Sequence, residues 1–168
     1  MSVKIGNITI PDASGFDVRQ TYEEIASKTT LRTKSGGAIL QSRWKRIKST
    51  ITGSGWEPAA IDAIDTAAMQ TVYCVEPLSV YGSSTTIVIP HQYRTESEYA
   101  PQASALVSGL LVATPLSMAG QTATITAVSG ATQYQVNYYP IITGILTISK
   151  SGDIDNQVRG WTLTVEQE

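Results

Sequence analysis

Catalysis in this chain would have to come from very few side chains. Among 168 residues there is one histidine, His91, and one cysteine, Cys74. A lone histidine beside Pro90 supplies no histidine pair for a metal and has no orienting partner near it in sequence, so a surface or loop position suits it better. Cys74 would need a base or a positive field to lower its pKa before it could act as a nucleophile. It stands instead in Val72-Tyr73-Cys74-Val75, a short apolar strand where a small core residue is the simpler reading. As the sole cysteine it forms no internal disulfide, which fits folding in a reducing cytoplasm.

The acids are no more suggestive. Asp62 and Asp65 lie three apart and suit favourable charge near a helix start. Asp153, Asp155 and Asn156 have a faint likeness to a calcium loop, but its glutamate and full spacing are missing, and turn chemistry explains them better. A paired-carboxylate hydrolase leaves no motif, because carboxylates meet in space; here the acids sit mostly beside turns or at the ends, and no pair stands out. There is no phosphate-binding glycine loop, no G-x-G-x-x-G, no G-x-S-x-G elbow and no Cys/His metal spacing. The expectation is a protein that is not an enzyme, with no catalytic residues, no cofactor and no metal.

The cations are more suggestive. Arg43, Lys45, Arg46 and Lys48 follow one another on a stretch read as a strand, Arg43 and Lys45 toward one face and Arg46 and Lys48 toward the other. Such a strand is not buried on both faces. A solvated edge is the simplest reading, with lysines discouraging stray pairing. The functional alternative is a contact surface for an acidic partner or nucleic acid. A polar stretch at 91–102 holds Tyr93, Arg94 and Tyr99 and reads as an exposed excursion, a second candidate contact surface. Charged residues make up only 15% of the chain and the net charge is −2, which argues against a specific nucleic-acid binder. No segment is long and apolar enough to span a membrane, since 106–112 is short and interrupted by Ser108 and Gly109, and the N-terminus lacks a signal-peptide core.

The elements that would position these residues are mostly strands. Ser35-Gly36-Gly37 is a turn between strands at 29–33 and 38–52. The second of these has an ambiguous period, but its β-branched residues and the glycine turn favour a hairpin. Gly53-Ser54-Gly55 reads as a corner that delivers Trp56 as an apolar anchor, and Glu57-Pro58 as a helix start. Ile5, Ile8 and Ile10 around Gly6-Asn7 fit either a bent strand or a tight hairpin, whereas 16–27 has no clear period, with Tyr22-Glu23-Glu24-Ile25 compatible with one helical turn. Further strands are expected at 72–75 and 85–89. Alternation with period two is cleanest at 122–127 and continues after Ser129-Gly130 at 134–138, which suggests a hairpin over 123–139. Ile142, Leu146 and Ile148 share a face of another strand, and Trp161, Leu163 and Val165 point inward on the last. The fold expected is mainly β: an antiparallel β-barrel or sandwich with one short α-helix at about residues 58–68. Residues 1–90 with 141–168 would form the main barrel-like domain, and 91–140 a β-hairpin insertion or small lobe.

Two stretches carry a family resemblance. One is Arg32, Ser35-Gly36-Gly37-Ala38, Arg43-Trp44-Lys45, Ile51-Thr52-Gly53-Ser54-Gly55-Trp56 and Pro58; the other is Gly160-Trp161-Thr162-Leu163-Thr164-Val165-Glu166. In these the chain resembles tail-tip and baseplate proteins of tailed bacteriophages, of the distal-tail type. That resemblance implies an opening strand, a hairpin with a long strand, a short helix and strands that close a barrel. It also implies a structural subunit of the virion tail, assembled in the host cytoplasm, that forms a homo-oligomeric ring and joins tube, hub, baseplate or fibre proteins. Sixfold order is favoured by the resemblance, with threefold as the alternative. The contact residues expected are Arg43, Lys45, Arg46, Lys48, Tyr93, Arg94 and Tyr99, with Glu23-Glu24 or the acids at 166–168 of another copy as partners for the cations. The competing class is a β-sandwich that binds carbohydrate or protein through tyrosines such as Tyr93, Tyr99 and Tyr139.

Overall fold

The computed structural model describes residues 2–56, 59–153 and 157–168. Its strands in chain order are β1 (Lys4–Ile5), β2 (Ile8–Thr9), β3 (Arg19–Arg32), β4 (Ala38–Gly55), β5 (Gln70–Tyr73), β6 (Leu78–Gly82), β7 (Thr86–Val88), β8 (Gln102–Val107), β9 (Leu110–Thr114), β10 (Leu116–Ala119), β11 (Thr122–Ile125), β12 (Ala131–Tyr138), β13 (Ile141–Asp153) and β14 (Val158–Gln167). The chain is mainly β, as its period-two segments predict, and every registered pairing is antiparallel. Among the described residues the sheets do not close into a barrel. The residues form two compact units, one of 8–70 with 143–168 and the other of 3–7 with 71–142.

In the first unit β13, β14, β4 and β3 lie side by side. Register sets Val165 beside Ser49, Leu163 beside Ile51 and Trp161 beside Gly53, so the inward positions form continuous rows. All six are buried. The expected inward face of the last strand is therefore present. The glycines, however, are not a corner. β4 runs straight through Gly53 to Gly55. Gly53 seats the Trp161 indole: a Cβ there would lie 2.3 Å from Trp161 Cζ2. The indole Nε1–H donates to the Ser14 carbonyl at 2.6 Å, which satisfies its polar atom inside the core. Trp56, expected as a core anchor, is 71% exposed. Residues 16–27 hold no helical turn; β3 is extended throughout and pairs with β4 from Arg19 to Arg32.

The expected α-helix is also absent among the described residues. Pro58 lies outside them, and Ala60–Ala63 form a single 3-10 turn. Ile61 is buried, as the helical reading requires, but Ile64 is already extended at φ −80° and ψ 124°. Asp65 explains why the turn stops. Its carboxylate accepts the Ala67 amide at 2.9 Å, the local side-chain bond with which aspartate competes against helix.

The second unit is a sandwich. One sheet has the order β6-β12-β8-β9 and the other β10-β11-β7. Ile87, Ile89, Ala123 and Ile125 pack with Ala103, Ala105, Tyr134, Val136 and Tyr138 between them. The segment expected as a hairpin is a crossover: β11 pairs with β10 and β7, and β12 pairs with β6 and β8. Alternation reports which face a residue takes, not which neighbour its strand chooses. For the same reason residues 71–90, read from sequence as part of the main domain, group here with 91–140. The apolar run at 106–112 is a hairpin, with Ser108 (φ 50°) and Gly109 (φ 83°) in the left-handed conformation that a two-residue turn requires.

Candidate assembly surface

The basic strand becomes an arm. β4 pairs with β14 from Gly55 back to Lys48; from there to Ala38 its strand partner among the described residues is β3. The result is a two-stranded ribbon that leaves the sheet and turns at Ser35-Gly36-Gly37. Gly36 has φ +86°, and the Thr33 amide donates to the Gly37 carbonyl at 2.8 Å. Residues 28–46 are all exposed. They include Leu31, Ile39, Leu40 and Trp44, the last three between 48% and 64% exposed. An isolated two-stranded ribbon is marginal in water, so apolar residues at these positions are suited to being covered. β3 is also the edge strand of its sheet.

The four cations do not behave alike. Lys45 and Lys28 both bind Glu24, the latter at 2.5 Å, and Lys48 binds Glu166 at 2.9 Å. Arg46 Nε donates to the Glu168 carbonyl at 2.5 Å. Acids expected to serve another copy are thus partners within one chain, because β3 and β14 flank β4 and set Glu24 and Glu166 beside its lysines. Hydrogen bonds from Lys28 and then Lys45 hold the Glu24 carboxyl below the usual value, and the bond to Glu166 raises Lys48. Arg43 is the extra residue of a bulge, where Ser27 faces Trp44 and Lys28 faces Ser42. The bulge breaks the simple alternation of faces expected for 43–48.

The second candidate surface is exposed at Gln92, Thr95, Glu96, Ser97, Glu98 and Gln102, but two of its three expected contact residues are buried. Arg94 is 3% exposed and Tyr99 is also 3% exposed. The Arg94 guanidinium lies 3.3 Å from the Tyr99 ring centroid, donates to the Cys74 carbonyl at 3.1 Å and forks onto Glu96 at 3.3 and 3.4 Å. Tyr93 is half-buried, and its hydroxyl donates to the Gly120 carbonyl at 2.8 Å. Tyr139 is half-buried and meets Tyr99 edge-on at 5.0 Å. Within this otherwise solvent-facing stretch the one arginine turns inward because it finds a π face and a carbonyl to bind. The tyrosines expected to bind carbohydrate are therefore mostly committed to packing.

Cys74 is a fully buried core residue, as expected. His91 is half-buried with its ring 6.5 Å from that of Tyr138, and desolvation holds it below its ordinary pKa. Burial also pushes the Tyr138 phenol up to about 12. Among the described residues no group of His, Cys, Asp and Glu is placed to hold a metal ion, and no helix is long and apolar enough to cross a membrane. Asp155 and Asn156, of the calcium-like stretch, lie outside the described residues.

Two exposed features are not apparent from the sequence. Phe16 and Trp56 form a tilted aromatic pair with centroids 5.0 Å apart. Leu110, Leu111 and Val112 are exposed on β9, the edge of the four-stranded sheet. The apolar run itself is visible in the sequence, but its position at an edge depends on sheet order. Comparison of the chain with protein families, with curated proteins and with solved structures finds no match.

Proposed function

We propose that this chain is a structural subunit of a bacteriophage tail, at the tail tip or baseplate, and that it works as a ring joining tube to baseplate or fibre proteins. The observation that carries the reading is the arm: a ribbon exposed from 28 to 46, studded with apolar residues, attached to a sheet in which β3 is the edge strand. That is the equipment of a chain that completes its structure against neighbours. The family resemblance of residues 32–58 and 160–166 supplies the tail context. The test is made on purified particles: the chain is sought by mass spectrometry and located by labelled antibody in electron micrographs. Presence at the tail tip in a fixed copy number per particle supports the reading, and absence from particles sinks it.

A second reading, a carbohydrate-binding module, has one observation in its favour. Phe16 and Trp56 are 60% and 71% exposed and adjacent, and exposed aromatic faces stack on sugar rings. Glycan-array binding lost on Trp56→Ala would favour it over the assembly role.

A further inference from the structure

The charge of this chain is segregated. Of its 12 lysines and arginines, seven lie within residues 28–48, a stretch that contains none of the 14 acids. The arm is a cationic ribbon on an anionic body, and the net charge of −2 conceals the separation. At the base of the arm the cations are matched by Glu24 and Glu166. At the tip they are not. Arg32 reaches only the Gly36 carbonyl at 3.4 Å, and Lys34 makes no ion pair among the described residues. The same tip exposes Leu31, Ile39 and Leu40.

A surface of matching character lies where the arm leaves the sheet. Ile25, Trp44, Met69 and Ile145 line an open groove of about 410 Å³, with Arg46, Gln167, Glu166 and Glu168 at its polar side. Met69 and Ile145 are 45% and 63% exposed, so the groove floor is apolar and unfilled by its own chain. We propose that the arm tip, through Leu31, Ile39, Leu40, Arg32 and Lys34, docks into this groove on a second copy of the chain. The contact cannot be made within one copy. Trp44 belongs to the groove, and Leu40 stands roughly 13 Å further along the same extended strand. The apolar tip fits the apolar floor, and the tip cations meet the carboxylate of Glu168, a residue whose carbonyl alone takes the Arg46 bond, and share Glu166 with Lys48. Nucleic acid fits less well, because it offers no counterpart to the leucines and is repelled by the anionic body. Tip and groove are different surfaces, so the contact is heterologous, and successive copies close into a ring or run on as a filament. This inference rests on the assembly reading above and names its interface.

The experiment is sedimentation velocity of the purified chain over a concentration series, with sheet content checked by circular dichroism. The chain is expected to self-associate, less at high salt. Arg32→Glu with Lys34→Glu should weaken association by roughly tenfold or more, as like charges then face each other across the contact, and Glu166→Lys with Glu168→Lys should do the same. An equimolar mixture of the two reversed proteins should associate again, because one tip–groove pairing is restored. Leu31→Ser, Ile39→Ser and Leu40→Ser together should abolish association in both backgrounds. No association, association indifferent to these changes, or duplex DNA binding by the arm without self-association would each overturn the proposal. Its failure is separable from that of the tail assignment. A chain found in particles whose reversed tip incorporates normally sinks the docking alone. A chain absent from particles that still passes the mixing test sinks the tail assignment alone.

Discussion

Arg94 is 3% exposed with its guanidinium against a tyrosine ring, whereas every residue from 28 to 46 of the arm, cations included, faces solvent. Both stretches combine cations with aromatic residues, and by composition both suggest a surface. What separates them is whether a partner of the right shape lies within reach. Arg94 has one in each direction: the Tyr99 face, the Cys74 carbonyl and the Glu96 carboxylate. The arm cations have flanking carboxylates at the base and none at the tip. Arginine can be carried into a core because its flat, weakly hydrated head stacks and forks at once, and a lysine ammonium cannot do both.

The contrast is broken most severely at Arg94. Arg94→Ala removes a buried stacking plate and leaves the Cys74 carbonyl without that donor, at a cost of roughly 2–4 kcal/mol. Arg94→Lys should recover only part of the loss. Urea unfolding of both variants measures this, and a cost below about 1 kcal/mol for the alanine variant would place Arg94 with the arm residues in kind.

β4 contains the same contrast along a single strand, and Gly53 sharpens it. At its sheet end the strand is packed so closely that an added methyl group would meet the Trp161 ring at 2.3 Å. Gly53→Ala should cost about 1–3 kcal/mol by overpacking. It should also perturb the near-ultraviolet signal of Trp161. An unchanged stability and spectrum would show that the indole has room to move.

The alternating segments are legible because period two is a local property. Trp161, Leu163 and Val165 declare their face, and the structure buries all three. What cannot be read is what depends on neighbours distant in sequence. Gly53 and Gly55 read as a corner because nothing local announces that an indole from residue 161 will occupy the missing side chain. Size alone sends Trp56 to the core, and it lies outside. Ile61 and Ile64 favour a helix over 58–68, but Asp65 captures a backbone amide that a helix would need. At the candidate site, the basic strand and its turn are visible in the sequence, while the projection of the ribbon depends on β14 ending its pairing at Lys48. The burial of Arg94 needs the position of Tyr99 and of the Cys74 carbonyl, neither of which spacing reveals.

On the arm the expected effects on stability are small. Leu31→Ser, Ile39→Ser and Leu40→Ser replace exposed apolar groups, and each should change the free energy of unfolding by no more than about 0.5 kcal/mol. The same changes remove association if the tip docks as proposed. A large stability loss measured on dilute, monomeric protein would show instead that these side chains support the fold of one copy.

The smallest effect concerns Glu24, the acid that anchors the arm base through Lys28 and Lys45. Hydrogen bonds from Lys28 first and Lys45 second lower its pKa from 4.5. A depressed carboxyl binds protons less readily in the folded chain than in the unfolded one, so its contribution to stability is present above 4.5 and disappears as pH falls through the folded value. The pair is open to water, so the stability at issue is slight, and the titration itself is the better measurement. Carbon-detected NMR of the Glu24 carboxyl should give a midpoint below 4.5 that moves upward in Lys45→Ala and further when Lys28→Ala is added. The order of the two causes makes the result informative. If Lys45→Ala alone restored the ordinary midpoint, Lys28 would be a bystander, and only the cross-strand contact would hold the arm base. A midpoint indifferent to both substitutions would mean that neither lysine dwells on Glu24 in solution, leaving the base of the arm as free to bind a neighbour's acids as its tip.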